Sequence, residues 1–371
     1  MSYVRWVVGA MSALAFSGSL LLSPTVSVAQ SPAAPSSDTV VLLPDTNPAP
    51  GNNPQTKPGE FAKKGPWKIG MSHYGLAGST HTYQTAHEAE YEVSKHPEIN
   101  QYLFRSADLS AAKQAADIED LIAQKVDVLI VAPLTPSSAS AGIKKARAAG
   151  IPVIVYLGKV NTDDYTTDIQ GDDYFFGKVM AEYLIKKLNG KGNVWMLRGV
   201  PGHPIDDDRH RGAMDAFKAA PGIKVVADQY ANWLYDDSKK VCESLYLSNP
   251  KVDGIWTDGA NMSMGCEDVF KQFGTKVPPI TGEANNGWLR RWKDDKLSSI
   301  APICPPGLSA AAVKAAVALL EGKPLYHHYV NRPEPITDAT LTKYFRPDLS
   351  DGFWLPTALP EAKLHQYYAL K

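Results

Sequence analysis

The sequence has few cysteines, no excess of charge of either sign and none of the short motifs that mark common catalytic sites. Its 38 basic and 39 acidic residues nearly balance, which argues against a basic surface for nucleic acid. No Gly-x-Ser-x-Gly nucleophile elbow, paired cysteine ligands or phosphate-binding loop occurs. We therefore expect no catalytic residues, no cofactor, no metal and no nucleic-acid partner.

The N-terminus also lacks an apolar run long enough to span a membrane. Arg5 precedes an apolar stretch, Trp6–Leu22, that small polar residues interrupt and that falls short of the roughly 20 residues a spanning helix needs. The small residues Ser27–Ala29 follow. This pattern predicts a secretory signal peptide over residues 1–29 and export to the periplasm, with a membrane anchor as the alternative. No cysteine stands at the junction, which argues against a lipoprotein.

Residues 30–66 are rich in Pro, Ser, Asn, Gly and Thr and contain few large apolar side chains. They bury too little apolar surface to offset the entropic cost of ordering, so we expect a disordered leader. The remainder, from Trp67, is long enough for two domains.

Residues 125–158 show how this remainder is built. Val126–Val131 is a β-branched apolar run typical of a strand buried on both faces. A helix is predicted over Ala139–Ala149, and a second apolar run follows at Val153–Tyr156. This βαβ unit makes the two strands parallel neighbours. Ligands bind beyond the carboxyl ends of such strands, so residues 132–137 and the segment from Tyr156 are the first places to look for a site.

The alternation of strand and helix occurs twice along the chain, which predicts an α/β protein of two similar lobes. The apolar helix Leu308–Glu321 is expected to return to the first lobe. We assign residues 67–170 and about 303–330 to an N-terminal lobe, and residues 171–302 and about 331–345 to a C-terminal lobe. Residues 346–371 form a C-terminal extension.

Several stretches carry a resemblance to a known family. They are IGMS at 69–72, the βαβ unit at 127–158, DIQGDDYFFGKVMAEYLIKKL at 168–188, RHRGAMDAF at 209–217, VDGIWTDGANMSMGC at 252–266 and ITGEANNG at 280–287. Together they resemble the sugar-binding type I periplasmic binding proteins, the solute receptors of ABC importers, over roughly residues 67–330. The resemblance implies two Rossmann-like lobes with parallel-sheet cores, joined by a hinge of three crossings and closing around one small ligand.

The resemblance also implies positions for ligand contacts. Arg211 matches the family's arginine that grips ligand hydroxyls, and Trp233 falls where the family often places a stacking aromatic. Asp172 lies at the first hinge crossing, and Tyr83 lies near the family's first-loop aromatics. The ligand set that we predict is His81, Tyr83, Tyr156, Asp172, Arg211, Trp233, Asp258, Asn261, Glu283 and Asn285.

Two departures from the family pattern concern hydroxyl contacts. The family's aspartate–arginine pair after the fourth strand is Leu157-Gly158 here. The cleft asparagine after VDGIWTD is Gly259, with Asp258 and Asn261 beside it, and the next loop has Ala284 at the family's aspartate position. The fold is implied by the resemblance, whereas the ligand is not.

Each polar candidate has a structural alternative. Asn285 and Asn286 precede Gly287 and are equally typical of a helix cap, and Trp233 is also compatible with core packing. The run from His203 to His210 contains His and Asp, which bind metals, but its spacing matches no defined site. We favour a cap for the following helix at Asp206–Asp208.

The three cysteines allow one disulfide. Cys242 and Cys266 lie on the helices predicted before and after the strand Val252–Thr257, which brings them within bonding range if both helices cover the same face. Export makes the bond chemically reasonable. Cys304 is expected to stay a free, buried thiol, and three unpaired cysteines are the alternative.

The leading functional hypothesis is an exported, monomeric binding protein, not an enzyme. It would capture a monosaccharide or related polyol in the cleft and deliver it to an ABC permease in the inner membrane. The alternative is a periplasmic sensory receptor that presents a sugar-like signal to a chemoreceptor or histidine kinase.

Overall fold

The computed structural model describes residues 40–76, 79–248 and 251–370. The predicted signal peptide and the start of the predicted leader lie outside these residues. The strands are β1 (Thr46–Pro48), β2 (Trp67–His73), β3 (Ile99–Ser106), β4 (Val128–Ala132), β5 (Val153–Tyr156), β6 (Thr167–Gly171), β7 (Gly192–Arg198), β8 (Ile223–Tyr230), β9 (Gly254–Thr257) and β10 (His328–Asn331). The helices are α1 (Thr80–Val93), α2 (Ala111–Ala123), α3 (Ser140–Ala148), α4 (Asp173–Lys187), α5 (Pro204–Lys218), α6 (Tyr235–Ser248), α7 (Ala260–Gln272), α8 (Asn286–Asp294), α9 (Leu308–Leu320), α10 (Leu341–Tyr344) and α11 (Glu361–Tyr368). Within these ranges, none of the helices combines the length and apolar character of a membrane span.

The first lobe contains, among the described residues, a seven-stranded sheet in the order β1-β10-β6-β5-β4-β2-β3. Its neighbours are parallel except at the β1–β10 pair. The predicted βαβ unit is confirmed as β4, α3 and β5, with Leu129 opposite Val153. Both strands are fully buried because helices cover both faces of the sheet, which explains their continuous apolar sequence.

The second lobe contains a parallel sheet that the described residues form in the order β8-β7-β9. Beyond β9, Ile280 is joined to Ile255 by a single isolated parallel bridge. Cys242 on α6 and Cys266 on α7 form a disulfide with their Cα atoms 5.3 Å apart, and Cys304 is an unpaired, buried thiol. The two helices lie on the same side of β9, as the pairing required.

Three chain crossings join the lobes in the described part of the chain. They lie side by side at residues 171–173, 302–304 and 331–333. The amide of Asp172 donates to the carbonyl of Asn331 at 3.0 Å, which ties the first crossing to the third. Helix α9 lies on the first lobe, where the Ser309 hydroxyl donates to the carbonyl of Thr85 on α1 at 2.6 Å. The prediction of an α/β fold with two parallel-sheet lobes and a multi-strand hinge is confirmed.

The prediction of a disordered leader is wrong for residues 40–66. Leu42 and Leu43 are buried in the core of the first lobe, and β1 pairs with β10 in antiparallel fashion. The Asn53 side chain donates to the carbonyl of His328 at 2.8 Å. The composition of this segment alone suggests disorder. Burial of two leucines and backbone hydrogen bonding to an otherwise open sheet edge are enough to order it.

Candidate ligand-binding site

A cavity of about 460 Å³ lies where the loops that follow the strands of both lobes meet. From the first lobe, Tyr74 follows β2 and Leu157 follows β5; from the second, Val200, Trp233 and Gly259 follow β7, β8 and β9. This is the edge at which open α/β sheets bind ligands. The segment after β5 contributes as expected, whereas the turn at 132–137 supplies no residue to the described lining.

Arg209 is the arginine of this cavity. Helix α5 starts at Pro204, with His203 as its N-cap, so Ile205 and Arg209 are one turn apart on the face that lines the cavity. The Arg209 side chain is only 3% exposed. Its Nε donates to Asp173 at 2.9 Å and its Nη1 to Asp258 at 3.1 Å, and the guanidinium lies 3.6 Å from the centre of the Phe176 ring. These contacts fix the plane of the guanidinium.

Three carboxylates surround this one guanidinium. Besides Asp173 and Asp258, Glu283 lies 3.6 Å from Arg209 Nη1 and also lines the cavity. Burial raises the pKa of Asp258 well above its usual value, although the Arg209 charge opposes this. Burial likewise raises the pKa of Glu283 to about 7, again against the Arg209 charge. The site therefore offers a fixed cation and, in Glu283, a carboxyl that changes charge near neutral pH.

Trp233 is held at the cavity wall by close packing and one hydrogen bond. Its Nε1 donates to Asp258 at 3.0 Å, and its ring meets His203 edge-on at 5.0 Å between centroids. A Cβ at Gly199 would lie 2.1 Å from the Trp233 ring, so only glycine permits this approach. Asp258 thus anchors both Arg209 and Trp233 from behind the cavity.

Two buried histidines add neutral polar groups. His81 Nε2 lies 3.1 Å from the carbonyl of Cys304, and burial lowers the pKa of His81 to about 4. Burial also lowers the pKa of His203 to about 3, with the Arg209 charge acting in the same direction. His203 Nδ1 accepts from the Ile205 amide at 3.3 Å, while its Nε2 has no partner in the described part of the chain. That nitrogen is available to a bound molecule.

Most of the remaining cavity wall is apolar. It comprises Leu109, Leu157, Val200, Leu234 and the indole of Trp354. Trp354 belongs to the C-terminal extension, and its ring meets His81 edge-on at 5.0 Å. The cavity therefore has one polar end around Arg209 and Glu283 and broad apolar walls.

The structure brings together four of the predicted ligand residues. His81, Trp233, Asn261 and Glu283 line the cavity, and Asp258 lies directly behind it. Sequence reasoning missed Tyr74, His203, Arg209 and Trp354. A helix start at Pro204 was the available signal for Arg209, because it places residues 205 and 209 on one face.

Arg211, to which the resemblance assigns the contact with ligand hydroxyls, lies outside the described cavity lining. The Arg211 side chain is 59% exposed and pairs with Asp208 at 2.7 Å. Two residues along an α-helix correspond to a rotation of about 200°, so Arg211 faces away when Arg209 faces the cavity. The helix cap predicted at Asp206–Asp208 is wrong, because α5 already begins at Pro204 with His203 as its N-cap.

Four other predicted contacts lie outside the cavity lining. Tyr83 is 51% exposed on α1, and Tyr156 is buried in the core with its hydroxyl 3.5 Å from the sulfur of Met71. Asp172 caps α4 by accepting from the Phe175 amide at 2.9 Å. Asn285 caps α8, accepting from the Trp288 amide at 3.1 Å. Helix capping accounts for Asp172 and Asn285 and core packing for Tyr156, whereas Tyr83 is exposed to solvent.

A group of possible metal ligands lies elsewhere, on the surface of the C-terminal extension. Asp348, Glu361 and His365 approach one another there. The guanidinium of Arg346 already binds both carboxylates, at 2.7 Å from Asp348 and 2.8 Å from Glu361. A cation would have to displace this arginine, so the group does not form a prepared metal site. In the His203–His210 run, for which a metal site is not predicted, His203 is the N-cap of α5 and Asp206 pairs with Arg198.

Comparison with known proteins identifies the family. Residues 76–324 match the model of the periplasmic binding protein domain, which is more than half of the chain. The chain belongs to the periplasmic binding protein family. Members of this family are periplasmic, and the curated relatives of this one are binding proteins rather than enzymes.

The relatives of this periplasmic binding protein are named for sugars and polyols. The xylitol-binding protein of Mycolicibacterium smegmatis is 29% identical over 48% of this chain and 52% of its own length. The galactofuranose-binding protein of Escherichia coli is 28% identical over 44% of this chain and 54% of its own length. The chain thus spans about half the length of these curated relatives. The ribose import binding protein of Salmonella typhimurium is 25% identical over 59% of this chain and 74% of its own length.

Solved structures agree on the fold. A solute-binding protein of an ABC transporter from Bacillus halodurans, with bound myo-inositol, superposes with a TM-score of 0.70 at 22% identity, covering 76% of this chain and 98% of its own. The fructose-binding periplasmic domain of a hybrid two-component system gives a TM-score of 0.70 at 25% identity, covering 75% of this chain and 93% of its own.

Proposed function

We propose that this protein captures a monosaccharide or related polyol in the cavity between its lobes and delivers it to an ABC permease after export to the periplasm. The observation that carries the proposal is the buried arginine–carboxylate group at one end of the cavity. Arg209, oriented by Asp173 and Asp258, presents a rigid donor fork of the kind that binds vicinal hydroxyls, and Glu283 offers an acceptor beside it.

The apolar walls support a ring-shaped ligand. A sugar ring has C–H faces that pack on aromatic side chains, and Trp233 and Trp354 both line the cavity. Neutral His203, which carries its proton on Nε2 because Nδ1 accepts from the Ile205 amide, supplies a further donor. The cavity volume of about 460 Å³ lies within the range of small-molecule sites.

The hinge supports a transport role. Three adjacent crossings allow the lobes to close around a ligand, and the closed shape is what a permease would recognise. The similarity to the fructose-binding domain of a two-component system favours a sensory role as the second candidate, since both roles use the same closure.

Calorimetry and thermal shift with D-ribose, D-galactose, xylitol and myo-inositol test the binding proposal. We expect at least one to bind and to raise the melting temperature without turnover, because ligand at 100 times its Kd adds about 2.7 kcal/mol to the free energy of unfolding. Binding of none of these, or their chemical conversion, would contradict the proposal.

Deletion of the gene in its host separates the two roles. Loss of uptake of the bound solute supports an importer. Unchanged uptake with a lost transcriptional or chemotactic response supports the sensory receptor instead.

A further inference from the structure

The C-terminal segment, residues 346–370, contacts both lobes beside the cavity. On the second-lobe side, the Asn286 amide donates to the carbonyl of Phe353 at 2.8 Å, and the Leu355 amide donates to the carbonyl of Ala284 at 3.1 Å. The Asn286 side chain donates to the carbonyl of Leu349 at 2.8 Å. Apolar side chains of the segment join the core of that lobe, namely Leu349, Phe353, Leu355, Leu359, Leu364 and Tyr368.

On the first-lobe side, the same segment meets a polar stripe of α1. Thr80, Gln84 and Glu88 are spaced by four residues and share one face of the helix. Two hydrogen bonds join the Gln84 side chain to the backbone of Trp354. Gln84 Nε2 donates to the Trp354 carbonyl, and the Trp354 amide donates to Gln84 Oε1, both at 2.8 Å. The Thr80 hydroxyl accepts from Trp354 Nε1 at 2.7 Å, and Glu88 accepts from the Ala358 amide at 3.0 Å.

The two attachments differ in kind. The second-lobe side combines backbone hydrogen bonds with apolar burial. The α1 side consists of hydrogen bonds to polar side chains, which water can replace once the surfaces part, and of a stacking contact between His87 and Tyr367 at 4.0 Å. Separation of the lobes would therefore release the segment from α1 and leave it on the second lobe. Gln84 and Glu88 are fully buried in the joined form, where the segment supplies hydrogen-bond partners to both side chains.

We propose that the C-terminal segment is a latch, carried by the second lobe, that engages Gln84 and Glu88 when the cleft closes and places Trp354 as a solute-contacting wall. The role of Trp354 as a solute contact rests on the proposed binding function; the latch does not. Trp354 lines the cavity next to His81, so its position depends on the bonds that Gln84 and Thr80 make to it.

Amide hydrogen exchange in the protein without added solute tests the latch directly. The neighbouring amides of Trp354 and Leu355 are bonded to opposite lobes, to Gln84 and Ala284 respectively. After correction for intrinsic rates, the latch predicts that Trp354 exchanges at least about tenfold faster than Leu355, with Ala358 protected to the same degree as Trp354, because one opening frees both. Equal protection of the Trp354 and Leu355 amides from exchange would mean that the segment stays bound to both lobes at all times, and it would overturn the proposal. Unequal protection of Trp354 and Ala358 would show separate side-chain fluctuations and overturn it as well.

Variants extend the test to the solute. Gln84→Ala removes the reciprocal bonds at a residue that does not itself line the cavity, and we expect it to accelerate exchange at Ala358 by about tenfold. With xylitol and myo-inositol as probes, Trp354→Ala is expected to weaken binding by at least about tenfold. Gln366→Ala, a change on the exposed side of the segment, serves as the control for both measurements.

The outcomes are distinguishable. Unchanged exchange at Ala358 in the Gln84→Ala protein contradicts the latch, and unchanged affinity of a cooperatively melting Trp354→Ala protein contradicts the solute contact. If neither probe binds the wild-type protein, the polyol class of the proposed function is contradicted, while the exchange measurement still decides the latch.

Discussion

Trp233 Nε1 donates a hydrogen bond to Asp258 Oδ2 at 3.0 Å, from the rim of the cavity to a carboxylate that is fully buried behind it. The other oxygen of Asp258 accepts from Arg209 at 3.1 Å. One carboxylate therefore sets the position of both the aromatic face and the donor fork. The site is pre-organised, which reduces the side-chain entropy lost on binding.

Exchange of the cavity arginine for lysine should weaken solute binding, whereas the same exchange two residues later should not. In Arg209→Lys an ammonium group replaces the planar guanidinium. The ammonium cannot donate to two ligand hydroxyls and to the surrounding carboxylates at the same time. A charge-assisted hydrogen bond is worth about 1.5–3 kcal/mol, so calorimetry should show roughly a ten- to hundredfold loss of affinity.

Arg211→Lys is the matched control, because Arg211 is exposed on the same helix. Equal losses in both proteins would show that the arginines act through helix stability and not through the ligand.

A methyl group at Gly199 should displace Trp233. The added Cβ would lie 2.1 Å from the indole, a distance that requires the ring to move. We expect Gly199→Ala to lose solute affinity to the same extent as Trp233→Ala and to change the near-ultraviolet circular dichroism of the folded protein. If Gly199→Ala keeps its solute affinity while Trp233→Ala loses it, the backbone at residue 199 has moved and the indole has kept its position.

The fold follows closely from sequence periodicity, but the site follows only in part. Continuous β-branched runs identify buried parallel strands, and the order of elements defines the edge where strand-end loops meet. The resemblance to the family, and not the periodicity, pointed to Trp233, Asn261 and Glu283, which line the cavity at that edge. The direction of a side chain on a helix depends on where the helix begins. Because α5 begins at Pro204, Arg209 lies on the face that lines the cavity, and Arg211 does not.

Contacts between distant parts of the chain leave no local pattern. Trp354 reaches the cavity because its backbone bonds to Gln84, 270 residues earlier in the sequence. Likewise, Leu42 and Leu43 are ordered by the core of the first lobe and not by their neighbours. Both segments are poor in periodic signals, and their structure comes from tertiary contacts alone.

Glu283 should make the stability of the protein depend on pH. Its folded pKa of about 7 lies above the usual value of 4.5, chiefly because of burial. The folded state therefore holds the proton more tightly, so stability falls as pH rises from about 4.5 and levels off above 7. Glutamine at this position does not titrate, so only the wild-type protein loses this stability. The free energy of unfolding of Glu283→Gln minus that of the wild type, measured in urea, should therefore rise by about 2–3 kcal/mol from pH 5 to pH 8. A constant difference across this range would mean that Glu283 is ionised throughout.

Cys242 and Cys266 should be bonded in the protein. Their Cα separation of 5.3 Å lies within the range of disulfides, and the bond joins residues 24 apart in the sequence. The chain-entropy model assigns a loop of this size roughly 3–4 kcal/mol of stabilisation. In urea unfolding, the free energy of unfolding of the wild-type protein should therefore fall by about that much when dithiothreitol is present. The free energy of unfolding of the double variant Cys242→Ala, Cys266→Ala should not change with reductant. Thiol titration in denaturant without reductant should find one free thiol per chain, and peptide mapping should place it at Cys304. Three free thiols, or a linked pair that includes Cys304, would contradict the assignment.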